Sequence, residues 1–329
     1  MSEQALEHTR DNPLLQIDTC FQTYLNAYTR SYQQHIVDGV LDYAFESDFA
    51  VRQKIIGLNG WSKLFKTIDS MDISAEAKHL FLKCDQVGPL KYPEIHDIVK
   101  KCSERTELIV PIVFIREDLD RPVIYSVSSN IIEPCIVISK QLVDMCGRDE
   151  LMLLIGCECG RIQNNHCAYN MAFTYLNYNK YSYKPTIRNY QNPVSNQLLS
   201  ALLQWVKYAD ITAYRAGMIC IDQPGQFMNI LCGIYNKGYI DFYGRQQRFM
   251  DFDSLNAKSR DIHSVPSRDL KTDLALSELE RGILAANEFL NCHTLHSWRA
   301  DLPAADQHTE LGQICDVRTS VILGNGGQI

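Results

Sequence analysis

The segment IGCECGRIQNNH (155–166) places a thiol, a carboxylate and a guanidinium within a few residues of one another. Cys157 and Arg161 stand four residues apart, so in a helix they share one face. A Cys thiolate can bind zinc, as can a carboxylate such as that of Asp210 further along the chain, and the intervening Glu158 has the chemistry of a general base. A guanidinium has no lone pair to give a metal ion. The donor set is therefore incomplete for a catalytic zinc.

The same segment resembles the active-site helix of the HtpX and CAAX-prenyl-protease class of zinc metallopeptidases, whose motif has the form GHExGHIxNNH. A second segment, DITAYRAGM (210–218), resembles the ExxADRAGL pattern that carries that family's third metal ligand. The resemblance covers about residues 90–240 and implies a zincin-like metallopeptidase domain. The matching positions are Gly156, Glu158, Gly160, Ile162, Asn164, Asn165 and His166 in the first segment, and Ala213, Arg215, Ala216 and Gly217 in the second.

Every metal-ligand position of this motif is changed. Cys157 and Arg161 occupy the places of the two histidines, and Asp210 occupies the place of the third-ligand glutamate. Only Glu158, at the general-base position, is kept, and Tyr214 replaces an Asp that supports the family's site. The resemblance thus implies vestigial ligand positions with no metal, and we predict no cofactor. Because two close carboxylates resist joint ionisation, we expect Arg161 to pair with Asp210, Glu158 or both, in place of zinc.

Three functions remain open. The first is a catalytically inactive homologue, a pseudopeptidase, that acts as a scaffold for a protein or peptide. The alternative is an active zinc-dependent metalloendopeptidase with non-standard ligands and Glu158 as general base. In it, zinc is bound by Cys157, Asp210 and a distant residue such as His166 or one from the Tyr-rich stretch 169–183. The third is thiol chemistry at Cys157, with Glu158 or His166 as the base. Loss of three ligands favours the first.

Other residues near the motif have simpler interpretations. Tyr214, His166 and Arg215 are expected to line the cleft or to support it from behind, and His166 is interpreted as a structural histidine ahead of a displaced ligand. Cys159 is interpreted as a buried thiol that packs in the core as a small apolar side chain. A further metal site is weakly suggested by three residues near a predicted helix end: Cys292, His293 and His296.

These residues need helices to position them, with a small sheet before the motif. Periodic apolar residues predict a helical region over 14–84, and three β-like runs (109–115, 122–127 and 132–139) predict a small antiparallel sheet. The Tyr- and Asn-rich stretch 169–193 predicts a long loop, of which 169–183 is a candidate partner surface. Helices are predicted over 93–104, from about 139, over 149–166, 196–220, 227–237 and about 269–292.

Gly88-Pro89 and Gly244 mark soft boundaries between parts of the chain. We predict an α+β, mainly helical fold in three parts: a helical N-terminal region (1–88), the metallopeptidase-like domain (89–244), and a connector, helix and mobile tail (245–329). A sequence of 329 residues with 46% hydrophobic residues can bury a sizeable core.

Composition narrows the classes of protein further. The net charge of −7 and the lack of basic blocks argue against a nucleic-acid partner. The 12 cysteines are scattered, which predicts mostly reduced, buried thiols and a cytoplasmic location. No apolar run is long enough to predict a membrane span. A protein or peptide is the expected partner.

Overall fold

The computed structural model describes residues 35–37, 39–68, 73–129, 132–181, 193–247, 249–264, 276–302 and 310–324. Contacts within the chain divide it into two compact units, Met1–Asp42 and Tyr43–Ile329. In the first unit, strands β1 (Ile36–Val37) and β2 (Val40–Leu41) form a short antiparallel ladder. The predicted division at residues 88 and 244 stays a prediction.

The second unit is mainly helical, as the sequence predicts, and the fold is α+β. Several helix starts have the residue that the local chemistry favours. The Ser139 hydroxyl accepts the backbone N–H of Leu142 at 3.2 Å, and Pro93 opens a helix in its first turn. Thirteen helices lie in the described ranges: α1 (Glu46–Ile56), α2 (Trp61–Thr67), α3 (Ser74–Lys83), α4 (Pro93–Arg105), α5 (Lys140–Met145), α6 (Arg148–Gln163), α7 (Cys167–Tyr181), α8 (Pro193–Cys220), α9 (Phe227–Asn236), α10 (Phe252–His263), α11 (Glu278–Asn287), α12 (His293–Trp298) and α13 (Gly312–Ile322).

A four-stranded sheet lies beside the helices, in the order β3 (Asp85–Gln86), β4 (Ile112–Arg116), β6 (Ile132–Ser139), β5 (Ile124–Ser129). The three predicted strands exist, but the expectation of a purely antiparallel sheet is wrong, since β4 pairs with β6 in parallel. Strand β6 lies between β4 and β5 in the sheet. Its residues from Cys135 to Ser139 are all buried. A short apolar run predicts a buried strand without specifying its neighbours.

The contact between α6 and α8 brings the two motif segments together. A side chain at Gly156 would place its Cβ 2.6 Å from the Cβ of Cys220, and one at Gly217 would place its Cβ 2.8 Å from the Sγ of Cys157. Only glycine permits such an approach of two helix backbones. The glycines of the motif therefore set the spacing at which α6 and α8 lie.

The predicted loop at 169–193 is wrong for residues 169–181, which belong to α7. Tyr169, Ala172, Phe173 and Leu176 are buried at the i, i+3, i+4, i+7 spacing of one helix face. The Tyr and Asn content, unfavourable for an isolated helix, obscures this period, and burial overrides it. The remaining part of the candidate partner surface, 182–183, lies outside the described residues.

Other predictions have mixed outcomes. The connector after Gly244 contains an unexpected helix, α10, with Asp251 as its cap. The predicted 269–292 helix is α11 and a 3₁₀ turn, Glu288–Asn291, while 269–275 lie outside the described residues, as do 14–34 and 325–329.

Eleven cysteines are described, all free thiols, and nine are buried, which confirms the prediction for these. Among described residues, no helix is both long and apolar enough to cross a bilayer.

Candidate functional site

Helices α6 and α8 place Glu158, Arg161 and Asp210 in one buried group. Arg161 donates from Nε to Glu158 Oε1 at 3.2 Å and from Nη2 to Asp210 Oδ1 at 2.9 Å. The side chains are 4%, 10% and 6% exposed for Glu158, Arg161 and Asp210, so both ion pairs are nearly removed from water. The prediction that Arg161 pairs with Asp210, Glu158 or both is thus confirmed, and the pairing is with both.

A second guanidinium, which the sequence analysis missed, also reaches Asp210. Arg245 donates from Nη2 to Asp210 Oδ2, so each oxygen of this carboxylate binds one arginine. Asp241 positions Arg245 by accepting its Nε at 2.6 Å and its backbone N–H at 2.8 Å. The only sequence signal is an Asp and an Arg four residues apart in an irregular segment, which is too common to single out.

An aromatic ring lies against both arginines. The Cζ atoms of Arg161 and Arg245 lie 5.8 and 5.0 Å from the Tyr243 ring centroid, a distance at which cations are attracted to the ring. The Tyr243 hydroxyl accepts a long hydrogen bond of 3.4 Å from Arg161 and donates to Asn170 Oδ1 at 2.6 Å. We call Glu158, Arg161, Asp210, Asp241, Tyr243 and Arg245 the Arg161 cluster.

The three carboxyl groups of the Arg161 cluster titrate differently. Burial raises the pKa of Asp210, but Arg245 and Arg161 outweigh it and hold that pKa below its usual value. Burial raises the pKa of Glu158 above its usual value although Arg161 and Ser126 oppose the shift, and burial does the same to the pKa of Asp241 against Arg245. Asp210 is therefore the fixed anion, and the other two carboxyl groups are easier to protonate.

The residues at the ligand positions that the sequence resemblance implies do not fit zinc. Arg161 has no lone pair and lies between the two carboxylates that would face a metal. Burial raises the pKa of Cys157 far above its usual value, and its Sγ packs in the glycine contact between α6 and α8. Within the described ranges, no group of three or more His, Cys, Asp or Glu residues is arranged to hold a metal ion.

His166 belongs to a different buried group, centred on Asp48 of α1. Asp48 Oδ2 lies 2.9 Å from His166 Nε2 and accepts the Thr212 hydroxyl at 2.7 Å. Asp48 Oδ1 accepts Nε1 of Trp205 at 2.8 Å and Nε of Arg52 at 3.0 Å. Burial lowers the pKa of His166 although Asp48 opposes the shift. The imidazole thus links α1 to the end of α6, as a structural histidine does.

Asp48 was not singled out from the sequence. It lies in the first turn of α1, where an acidic residue is ordinary, and its distant partners come from two parts of the chain, His166 and helix α8. Its carboxylate is fully buried, and burial, which raises its pKa, is outweighed by His166 and Arg52, so the pKa lies well below the usual value.

The other two predicted cleft residues point in different directions. Tyr214 is buried and, with Asp210 and Arg245, lines a cavity of about 290 Å³ beside the Arg161 cluster. Arg215 lies instead against the C-terminal helix α13, where its Nη1 is 2.7 Å from Asp316 Oδ1. The structure therefore brings Tyr214 to the predicted site and separates Arg215 and His166 from it.

The remaining candidates lie elsewhere. Cys159 is fully buried. Cys292 is buried next to Cys315, and a hydrogen bond from that thiol lowers the pKa of Cys292 to about 6. His293 is exposed and His296 half-buried, and neither joins Cys292 in a metal-binding group of described residues.

Comparisons with protein-family models, with curated proteins and with solved structures find no match for this chain.

Proposed function

We propose that this chain is a catalytically inactive relative of the HtpX and CAAX-prenyl-protease zinc metallopeptidases, with a zincin-like domain, and that it acts as a scaffold for a protein or peptide. The observation that carries the proposal is the position of Arg161. Its guanidinium binds Glu158 and Asp210 at once, so a fixed positive charge lies between the retained general-base position and the former third-ligand position.

A metal ion at this position would have to displace a buried cation from two carboxylates. It would also meet Arg245 on the second oxygen of Asp210. Like charges at such distances repel strongly where water is excluded. The two guanidiniums thus supply the charge balance that a divalent ion supplies in the family's motif.

The geometry gives less support to an active zinc enzyme. That alternative needs a further distant donor, such as His166, but this imidazole belongs to the Asp48 group, with Nε2 2.9 Å from Asp48 Oδ2, and not to the Arg161 cluster. It also requires a Cys157 thiolate, which burial disfavours. Thiol chemistry at Cys157 meets the same obstacle.

Metal content and hydrolysis of the purified full chain test the inactive state. We expect far less than one zinc per chain after expression with added zinc, and no cleavage of a mixed peptide library above that of Glu158→Gln. About one zinc per chain, together with cleavage that Glu158→Gln abolishes, would overturn the proposal.

Reversion of the motif tests the family relationship separately. A variant with Cys157→His, Arg161→His and Asp210→Glu should gain zinc only when Arg245→Ala is added, because Arg245 otherwise keeps the carboxylate at 210. A control variant with Arg245→Ala alone should gain none. If the fourfold variant folds and still binds no zinc, the resemblance does not describe this site.

The scaffold role requires its own assay. Peptides selected from a display library on the full chain should bind Glu158→Gln with the same affinity as the parent protein. Selection of no peptide above the background of a scrambled library would contradict a peptide-binding scaffold.

A further inference from the structure

A cavity of about 650 Å³ lies away from the Arg161 cluster, between α1, α2 and the start of α7. Aromatic rings of Trp61, Phe65 and Tyr169 form much of its wall, and Trp61 stacks on Tyr169 with ring centroids 4.7 Å apart. Cavities of this size, with apolar walls and few polar groups, are typical small-molecule sites. The rigid stacked rings favour an aromatic body in the occupant.

The charged residues described in the lining of this cavity have one sign of charge. Arg52 and Lys66 line it, and no described lining residue is an Asp or a Glu. Asp48, the carboxylate that pairs with Arg52, is fully buried, does not line the cavity and accepts from several donors at once. The cavity is therefore complementary to an anion.

Arg52 is held in place and has a donor to spare. Its Nε binds Asp48 Oδ1 at 3.0 Å and its Nη1 donates to the backbone oxygen of Asn164 at 2.7 Å. The side chain is only 10% exposed, yet among described residues Nη2 has no hydrogen-bond partner. A fixed guanidinium with one free terminal nitrogen is suited to bind a single carboxylate.

We propose that this cavity binds a small aromatic monocarboxylate, whose carboxylate accepts from Arg52 and whose ring lies among Trp61, Phe65 and Tyr169. Binding at this cavity is independent of whether the Arg161 cluster is catalytic. A ligand here would also stabilise the orientation of Arg52, and through it the contact between α1 and the end of α6 at Asn164.

Titration calorimetry with 2-naphthaleneacetic acid at pH 7.5 tests this proposal, with 2-naphthaleneacetamide as the uncharged analogue of the same shape. We expect the acid to bind at least tenfold more tightly than the amide. The affinity for the acid should fall at least tenfold in Arg52→Gln, while the affinity for the amide changes little.

Because Arg52 also binds Asp48, a second variant tests the cavity without disturbing that contact. Ile56 lines the cavity, and its side chain is 50% exposed. The substitution Ile56→Asp therefore adds a negative charge to the cavity wall. This variant should weaken binding of the acid at least tenfold. The control Leu82→Asp, at a 68% exposed position of α3 outside the cavity lining, should leave it unchanged.

Three results would overturn the inference. They are no binding of the acid, equal binding of acid and amide, and an Ile56→Asp affinity equal to that of Leu82→Asp. Intrinsic fluorescence gives a second readout, since an aromatic ligand in this cavity should perturb Trp61, and Trp61→Phe should remove most of that change.

Discussion

Replacement of Arg161 by methionine is expected to be strongly destabilising, because it leaves carboxylates buried without their cation. Asp210 keeps Arg245, so the loss falls mainly on Glu158, which forms its ion pair with Arg161. Breaking a buried pair by removing one partner costs about 3–5 kcal/mol. Coulomb attraction between unit charges 4 Å apart at an effective dielectric constant of 20, about 4 kcal/mol, gives the same order.

The loss should depend on pH, in a direction set by the carboxyl pKa values. Glu158 has a folded-state pKa above its unfolded value, so the folded state holds the proton more tightly, and stability falls as pH rises through this range. Without Arg161 the pKa rises further, by a free energy of about 1.4 kcal/mol per unit. Arg161→Met should therefore lose less stability at pH 5, where Glu158 can stay protonated, than at pH 8.

Urea unfolding followed by circular dichroism at pH 5 and pH 8 measures this difference. Adding Glu158→Gln to Arg161→Met should recover about 1–3 kcal/mol at pH 8, the cost of an unsatisfied buried group. Arg148→Met, which removes a largely exposed partner of Asp97, is the control and should change the free energy of unfolding far less. A loss in Arg161→Met no larger than in Arg148→Met, or further destabilisation by Glu158→Gln, would refute the argument.

Three further predictions concern the surrounding core. Asp48→Asn should lower the free energy of unfolding by about 3–5 kcal/mol above pH 5. The loss should shrink as pH falls toward and below about 4, because the ionised Asp48 carboxylate stabilises the fold and its protonation removes that contribution. Urea unfolding at a series of pH values measures this dependence. Gly156→Ala should destabilise by about 1–3 kcal/mol through overpacking, whereas Gly282→Ala, with no atom near the new Cβ, should be neutral or gain up to about 1 kcal/mol in the same assay. Iodoacetamide should modify Cys157 only as fast as the protein opens, as mass spectrometry of timed samples would show; rapid native labelling would revive the thiol mechanism.

Local sequence patterns predicted the helices of the site and the central ion pairs. The argument that two close carboxylates need a cation was enough to predict that Arg161 pairs with Asp210, Glu158 or both. Arg245 was out of reach because it follows Asp210 by 35 residues and lies in an irregular segment. No local pattern encodes which distant segments fold back onto a helix pair.

The sheet and α7 show two other limits. The order of strands in a sheet depends on contacts between segments that are distant in sequence. Strand β6 lies between β4 and β5 because both of them pair with it, and no local pattern encodes this pairing. In α7, tyrosines and asparagines weaken the local preference for helix, and the buried face supplied by Tyr169 and Phe173 outweighs it. Asp48 was missed since its partners come together only in the folded chain.

The sharing of Asp210 between two arginines has a consequence for the order in which the protein can form. During synthesis Arg161 emerges first, Asp210 follows 49 residues later, and Arg245 a further 35 residues after that. Until Arg245 has left the ribosome, α6 and α8 can meet only by burying the Asp210 carboxylate without the arginine that binds its second oxygen. Nascent chains that end before residue 245 should therefore remain loosely packed and accessible to proteases, and the α6–α8 core should close as a late event of translation.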